Sequence, residues 1–484
     1  MKLKLFFTIL ISKLIIKACR LFKTGGTTLA GKAALKIFPG IIKTVSQNFS
    51  TIMVTGTNGK TTTARIIGRL LKENGIDYIT NKSGANLLSG IAAAFMDAVG
   101  LSGGCKAKTA LLEVDEAAFR IAAEHIEPDV LVVTNFFRDQ LDRYGELYST
   151  LKGVLAGIRK TDKTRLVLNA DDSLCVSLSK DSGKETVFYG IGSGAFSSWD
   201  KAINSDAMFC LYCKSKYEYA NVVYGHLGGF RCPGCGYSRP FAQVLCTSVK
   251  EFSGSHSMIE FHVNAPPEDA CGAANGVPVK LFRVRENFVG KYDAKVNLPG
   301  FYNIYNSLAA AACGIMMELP PESIAKALGN FECGFGRMEA ISAKGKTLKV
   351  ALVKNPTGFN QVIELLTAES KTAQIAFAIN DKLADGTDVS WLWDVDFERL
   401  LAIQDRVGCF YASGVRAEDM AVRLKYAGVI PDKIAVVKDY RKLIETGLSS
   451  TDEGGVFYIL PTYTALLDIR RILRKQFSLK DFWK

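Results

Sequence analysis

The segment MVTGTNGKTTT at residues 53–63 constrains the fold of this chain more than any other. The apolar run that leads into it predicts a buried strand, and the residues after it predict an amphipathic helix that ends near Gly75. A glycine-rich turn between a strand and a helix lets backbone N–H groups surround a phosphate, and the helix dipole favours the anion. The sequence therefore predicts a nucleotide-binding α/β domain.

The residue types within this loop suit a nucleoside triphosphate and magnesium. The Lys60 ammonium would reach the β- and γ-phosphates, and the Thr61 hydroxyl would bind Mg²⁺. The strict pattern GxxxxGK[ST] is not met, because its first position is Val54. The predicted ATP-binding residues of the loop are Gly56, Thr57, Asn58, Gly59, Lys60, Thr61 and Thr62.

A carboxylate is expected opposite the loop, at the end of a neighbouring strand. Glu113 lies near the end of the apolar run ALLEV at 110–114, where it could act as this carboxylate, and Asp115 and Glu116 lie beside it. Mg²⁺ prefers oxygen ligands and keeps several waters, so one or two protein oxygens suffice. We therefore predict Thr61 and Glu113 as the magnesium ligands.

Apolar runs alternate with helical stretches along the chain, which predicts α/β architecture with mostly parallel sheets covered on both faces. A second series of such runs begins after Arg337. We expect three parts: an N-terminal amphipathic lead-in at 1–50, a central ATPase domain at 51–340, and a smaller α/β domain at 341–484.

Two CxxC pairs interrupt the central domain. Cys210 and Cys213 are separated from Cys232 and Cys235 by 18 residues, a spacing that supplies four thiolates for tetrahedral Zn²⁺. This predicts a zinc ribbon inserted at about 205–240, closed and therefore structural, with iron–sulfur ligation as the alternative. The other eight cysteines are scattered singly, which suits a reducing compartment.

The formal net charge of +12 favours anionic partners. The first 20 residues predict a helix that is interrupted by lysines, and the chain has no uncharged apolar run long enough to span a bilayer. Two interpretations stay open, a helix lying on an anionic membrane and a helix packed on its own domain. Its apolar face comprises Phe7, Ile11, Leu14 and Ala18; opposite lie Lys2, Lys13, Lys17 and Arg20, with Lys4 as an exception.

Several motifs in one order resemble the Mur ligase family. They are GTNGKTT at 56–62, EVDE at 113–116, TNFFRDQLDRYGE at 134–146, NADD at 169–172, FYNIYNSLAAA at 301–311 and GRME at 336–339. The resemblance implies a Mur-ligase-type fold that uses ATP and Mg²⁺. It also implies that Asn306 contacts the nucleotide and that Arg337 reaches the phosphates across the gap between domains.

The inserted ribbon, the short region before the loop, and the runs at 355–361 and 380–398 resemble the branch of this family that amidates lipid II. That resemblance implies ATP-dependent conversion of the α-carboxylate of D-glutamate in the stem peptide to D-isoglutamine, through an acyl phosphate. Ammonia would come from a separate GatD-type glutaminase, and Asp388 would be catalytic. The expected location is the cytoplasm, at the inner face of the plasma membrane, where peripheral contact with the bilayer would bring the chain to its substrate.

Two other functions stay open at this point. One is a different Mur-like ligase of the glutamylase type. The other is a zinc-ribbon ATPase that binds nucleic acid, although the sequence has no evident motif of stacked aromatic and basic residues, so no nucleic acid is expected.

Overall fold

The structure is a computed structural model that describes most of the chain. The described residues are 2–21, 27–81, 84–138, 147–195, 207–253, 256–266, 273–274, 277–331, 337–343, 345–368 and 371–477.

Helices and strands alternate over residues 50–191 and again over residues 346–477. The α-helices are α1 Lys2–Leu21, α2 Thr27–Ile37, α3 Ile41–Ser46, α4 Lys60–Glu73, α5 Leu88–Ala98, α6 Glu116–Ala122, α7 Leu147–Arg159, α8 Ser173–Ser182, α9 Phe301–Met316, α10 Pro321–Gly329, α11 Pro356–Ala368, α12 Ala417–Tyr426, α13 Tyr440–Ser449 and α14 Tyr463–Phe477. The 3₁₀ helices are Glu286–Phe288, Ser390–Asp394, Phe397–Arg406 and Pro431–Lys433.

The strands form two principal sheets, a hairpin and a short pair. They are β1 Ser50–Thr55, β2 Tyr78–Thr80, β3 Thr109–Glu113, β4 Val130–Val133, β5 Arg165–Asn169, β6 Thr186–Ile191, β7 Glu218–Tyr224, β8 Leu227–Arg231, β9 Val244–Phe252, β10 Ser257–Val263, β11 Ala273–Ala274, β12 Val277–Pro278, β13 Gly290–Val296, β14 Arg337–Ala343, β15 Lys346–Ala351, β16 Ala373–Ala378, β17 Val407–Ser413, β18 Ile434–Val436 and β19 Val456–Pro461.

The first sheet has the strand order β13-β10-β9-β6-β5-β4-β1-β3-β2. The seven strands β9, β6, β5, β4, β1, β3 and β2 are parallel, and β10 and β13 add an antiparallel edge beside β9. Helix α9 crosses one face against α4 and β6. Its alanines at 309–312 are fully buried, and such small side chains let the helix approach the sheet closely.

The second sheet has the order β14-β15-β19-β16-β17-β18 and is parallel except for the edge strand β14. Its central strands β16 and β19 are buried on both faces, as in other parallel sheets. The two sheets confirm the mostly parallel α/β fold that the alternating apolar runs predict.

Two adjacent buried aspartates attach the cysteine-rich insertion to the first sheet. Asp171 accepts hydrogen bonds from Arg239 Nε at 2.5 Å and from Tyr305 Oη at 2.7 Å, so it links the insertion to α9. Asp172 caps α8 and lies 3.3 Å from His226 Nε2. The NADD motif therefore anchors the insertion. Removing these acceptors would leave buried donors without hydrogen-bond partners, which costs free energy.

Helix α1 packs on the domain, but through a face other than the predicted one. Ile9 and Ile16 are buried among residues of α2 and α5, whereas the predicted apolar face at Phe7, Ile11 and Leu14 is exposed. Within the described residues, no helix is both long enough and apolar enough to cross a membrane.

Candidate nucleotide-binding site

The predicted site residues gather because neighbouring parallel strands end at one edge of the first sheet. Strand β1 runs between β3 and β4, and all three lead into loops at their carboxyl ends. Ligands of open α/β sheets bind outside these ends. The loop at 56–59, Glu113 and the start of the 134–146 segment are thereby brought together.

Two glycines shape the phosphate loop. Gly56 has φ of +120° and Gly59 has φ of +85°, which L side chains rarely adopt. A Cβ atom on Gly59 would also lie 2.0 Å from Asn306 Oδ1, and one on Gly56 would lie 2.3 Å from Thr134 Oγ1. Both positions therefore require glycine for conformation and for space.

The residues after β4 hold the loop in place. The Asn58 N–H group donates to Asn135 Oδ1 at 3.0 Å, and the Asn58 carbonyl accepts from Thr134 Oγ1 at 2.7 Å. The Thr57 N–H group donates to the Asn135 carbonyl at 2.9 Å. These contacts give the described part of the predicted 134–146 loop a positioning role, while residues 139–146 lie outside the described residues.

Lys60 is the first residue of α4 and is almost fully buried. Its Nζ donates to Glu116 Oε2 at 2.7 Å and to the Gly56 carbonyl at 2.5 Å. Burial lowers the pKa of Lys60, but the carboxylates of Glu116, Asp115 and Glu113 outweigh it and hold the pKa above its usual range. The ammonium is therefore charged at physiological pH and available to an incoming phosphate.

Glu116 is the partner of Lys60 that sequence reasoning did not single out. Glu116 begins α6 three residues after Glu113, and only 2% of it is exposed. Asp115, between them, accepts from the Ala117 N–H group at 3.1 Å and caps the same helix. The signal in the sequence was a carboxylate close to the end of a buried strand. Glu113, Asp115 and Glu116 all meet this description, so the sequence could not tell which of them pairs with Lys60.

Asn81 fixes the end of β3 where Glu113 lies. The Glu113 N–H group donates to Asn81 Oδ1 at 2.9 Å, and Asn81 Nδ2 donates to the Glu113 carbonyl at 2.8 Å. The main chain of Glu113 is thus held like a paired strand residue. Its carboxylate is buried beside the loop and has the oxygen chemistry that Mg²⁺ prefers.

Two buried polar atoms in the loop suit a bound nucleotide. Within the described residues, Thr62 Oγ1 and Asn58 Nδ2 have no hydrogen-bond partner. Buried polar groups are nearly always paired, so unpaired ones indicate a missing ligand or water. Thr61 is half-buried in the first turn of α4, where a hydroxyl could reach a metal ion. These residues fit ATP and Mg²⁺.

Asn306 lies against the loop from the opposite side. Its Oδ1 accepts from Thr63 Oγ1 at 3.3 Å, and its Nδ2 donates to Asn303 Oδ1 at 3.0 Å. The structure thus brings Asn306 to the phosphate loop. Arg337 begins β14, and its side chain lies outside the described residues.

Asn355 joins the second sheet's domain to the phosphate loop. Its Nδ2 donates to Asn58 Oδ1 at 3.0 Å, and its Oδ1 accepts from the Gly358 N–H group at 2.8 Å. Asn355 therefore caps α11 and contacts the loop with one side chain. The sequence identifies residues 355–361 as a motif. It does not indicate that Asn355 contacts Asn58, because the two residues are almost 300 positions apart.

Asp388 lies in the loop after β16, at the carboxyl edge of the second sheet. It is half-buried and accepts from Ser390 N–H at 2.8 Å and Ser390 Oγ at 2.9 Å. The neighbouring Asp385 is buried and accepts from the Thr464 N–H group at 2.7 Å, so it holds the start of α14. Asp394 and Asp396 are exposed. The catalytic role of Asp388 stays a prediction.

The two CxxC pairs form one cluster. The sulfur atoms of Cys210, Cys213, Cys232 and Cys235 all lie within 4.8 Å of one another. Each pair is followed by a residue with positive φ, Lys214 at +65° and Gly236 at +74°, which turns the chain around the sulfurs. Four sulfurs so close can occupy the corners of a tetrahedral metal site.

Comparisons with known proteins agree with this site. The profile of the Mur ligase middle domain matches residues 54–228, and that of the MurT ligase C-terminal domain matches residues 352–466. In solved structures, a pseudomurein peptide ligase type C from Methanothermus fervidus covers 90% of this chain with a TM-score of 0.63 at 19% identity. MurF ligase from Thermotoga maritima, in complex with ADP, covers 92% with a TM-score of 0.60 at 14% identity. These similarities are similarities of fold.

Curated relatives extend the match over almost the whole chain. The lipid II isoglutaminyl synthase (glutamine-hydrolyzing) subunit MurT of Streptococcus pneumoniae is 31% identical over 448 residues, 93% of this chain and 92% of the relative. The subunit of the same name from Staphylococcus aureus is 29% identical over 469 residues, 97% of each chain.

The fold and the phosphate loop together define an ATP-dependent ligase of the Mur type. The chain belongs to the Mur ligase family, and within it to the group of the MurT subunits.

We expect Glu116→Gln to lower the free energy of unfolding by about 3 kcal/mol, because it leaves the buried Lys60 ammonium without its counter-charge. Urea unfolding followed by circular dichroism measures this change. Glu124→Gln is the control, since the Glu124–Lys160 pair is exposed and its loss should leave the unfolding curve unchanged. Equal curves for both variants would contradict the role given to Glu116.

Asn355→Ser should weaken ATP binding by about three- to tenfold, because serine can still cap α11 but cannot reach Asn58. Asn355→Ala should weaken it equally and also destabilise the C-terminal domain by about 1 kcal/mol through the lost cap. Calorimetric titration with ATP and thermal unfolding separate the two effects. Unchanged ATP affinity in Asn355→Ser would show that the contact does not contribute to nucleotide binding.

Proposed function

We propose that the chain is the synthetase subunit that amidates the α-carboxylate of D-glutamate in the lipid II stem peptide, giving D-isoglutamine. The observation that supports this best is the match of the MurT relatives over more than nine-tenths of the chain, together with the profile matches at residues 54–228 and 352–466. Amide formation of this kind consumes ATP, and the loop at 56–62 offers the groups that a triphosphate requires.

The proposed reaction has two steps, activation of the carboxylate and its amidation. A carboxylate oxygen of the substrate attacks the γ-phosphorus of ATP, ADP leaves, and an acyl phosphate forms. Ammonia then attacks the carbonyl carbon, phosphate leaves, and the nitrogen loses a proton. Bound Mg²⁺ would neutralise phosphate charge, held by Thr61 and Glu113. Asp388 would orient ammonia or accept its proton.

The other predicted site residues would bind and stabilise the nucleotide. Lys60, whose Nζ donates to Glu116, would neutralise the charge that develops on the transferred phosphate. Asn306 would contact the nucleotide beside Gly59, and Arg337 would reach the phosphates across the gap between the domains. The contacting backbone would be that of Gly56, Thr57, Asn58, Gly59, Thr61 and Thr62. The proposed domain division stays 1–50, 51–340 and 341–484.

The ammonia requires a source outside the sites described above. We propose that a separate GatD-type glutaminase subunit supplies it, consistent with the words "glutamine-hydrolyzing" in the names of the relatives. The substrate is membrane-bound lipid II, which places the reaction in the cytoplasm at the inner face of the plasma membrane. No nucleic acid takes part.

We also propose that the four-cysteine cluster is a structural zinc ribbon. Its buried members Cys210 and Cys232 alternate with the exposed Cys213 and Cys235, so the site is closed by protein on one side. The described insertion has only the β7–β8 hairpin as regular structure, and a metal can supply the stability that so small a unit lacks. The buried Tyr237 supports it through its main chain, whose carbonyl accepts from the Cys232 N–H group at 2.7 Å.

Mass spectrometry of lipid II, after incubation with ATP, Mg²⁺, glutamine and this chain, tests the proposed reaction. We expect replacement of one hydroxyl by one amino group per stem peptide only when a GatD-type glutaminase is also present. Asp388→Asn should abolish the product, while Asp394→Asn, at an exposed position nearby, should retain it. Addition of an amino acid instead of an amino group would indicate a glutamylase, and ATP hydrolysis that responds only to nucleic acid would indicate the other alternative.

Metal analysis of the purified protein tests the ribbon. We expect one zinc per chain and its loss in Cys213→Ser, together with a lower melting temperature, because metal binding contributes directly to folding. Cys105→Ser, outside the cluster, should retain the metal and the melting temperature. Iron instead of zinc would assign the cluster to iron–sulfur chemistry, and absence of metal from the wild-type protein would remove the proposal.

A further inference from the structure

Within the described part of the chain, helix α1 packs on the protein through one face. Ile9 and Ile16 are buried, and the hydroxyls of Thr8 and Ser12 on the same side are satisfied by the carbonyls one turn earlier. This side attaches the helix to α2 and α5, and among the described residues the larger apolar side chains on the opposite side are exposed.

That opposite side is apolar, although it faces away from the domain. At 100° per residue its members fall within one arc of the helix, and they recur over about 27 Å. Single exposed apolar residues are normal, but a continuous row of them marks an interaction surface. The row consists of Leu3 (71% exposed), Phe7 (49%), Ile11 (38%), Leu14 (59%) and Leu21 (77%), which we call the outer row.

The charged residues of the N-terminal segment that contains this helix are all basic. Residues 1–50 contain eight lysines, one arginine and no aspartate or glutamate, so they carry +9 of the chain's formal +12. The exposed Lys4 and Lys17 border the outer row on its two sides. Lys13 and Arg20 instead turn toward α5, where they contact Asp97.

We propose that α1 is a membrane-surface anchor, with its outer row inserted at the headgroup–acyl boundary of an anionic bilayer and its lysines at the lipid phosphates. An apolar stripe flanked by cations matches an anionic lipid surface in both hydrophobicity and charge. A protein partner would have to present an apolar groove bordered by acids, whereas an anionic bilayer offers both features everywhere on its surface. This inference rests on α1 alone and is independent of the reaction proposed above.

Vesicle sedimentation with the full-length chain tests the anchor. We expect the protein to pellet with vesicles of phosphatidylglycerol and phosphatidylcholine, and to remain in solution with vesicles of phosphatidylcholine alone. Phe7→Glu/Leu14→Glu should lower the partition onto the anionic vesicles by about tenfold or more. Lys4→Gln/Lys17→Gln should lower it by about tenfold while leaving the apolar row intact.

Ile121→Glu is the matched control, because Ile121 is 52% exposed on a helix of the central domain, close to the exposure of Phe7 and Leu14. It should partition like the wild type, and circular dichroism should show that all variants are folded. Equal binding to both vesicle types, or binding that both double variants retain, would overturn the proposal. The proposal would also be overturned if the outer row binds a second copy of the chain or the glutaminase. Light scattering would then show a lower mass for Phe7→Glu/Leu14→Glu than for the wild type.

Discussion

The ion pair between Lys60 and Glu116 is the constraint on which the nucleotide-binding site depends. A buried ammonium is tolerated only when its charge is compensated, and here the compensation comes from the carboxylate of one helix and the carbonyls of the loop. The pair therefore fixes the start of α4 against the start of α6, and with them the ends of β1 and β3. The Lys60 charge that stabilises the loop is also the charge that a triphosphate would use, so the same side chain contributes to folding and to nucleotide binding.

Two further networks extend this constraint to the rest of the molecule. Asn58 and Asn355 join the loop to the second sheet's domain by a side-chain hydrogen bond. A nucleotide that rearranges the loop would therefore also change the contact at the start of α11. Asp171 and Asp172 anchor the cysteine-rich insertion to the first sheet through Arg239 and His226. Each network uses buried polar groups whose partners come from distant parts of the chain, which makes its geometry specific and its loss costly.

The N-terminal helix illustrates how a sequence pattern can be correct and still leave the packing undecided. The periodicity of α1 identifies an apolar face at Phe7, Ile11 and Leu14, and the usual interpretation would bury it. The fold buries the opposite face instead, since Ile9 and Ile16 fit against α2 and α5. Helical amphipathicity tells which residues share a side, but the shape of the neighbouring surface decides which side is covered.

The sequence by itself determined the strand–loop–helix at 50–73, the succession of buried strands, the four clustered cysteines and the family, because each depends on local chemistry or on spacing along the chain. It also identified Gly56, Gly59 and Lys60, whose roles follow from a loop conformation that a short segment defines. Only the tertiary structure decided that Lys60 pairs with Glu116, that Asn355 contacts Asn58 and that Asp172 meets His226. These contacts join residues 54 to 297 positions apart, and which side chains meet over such separations is set by sheet order and helix packing, which no local pattern encodes.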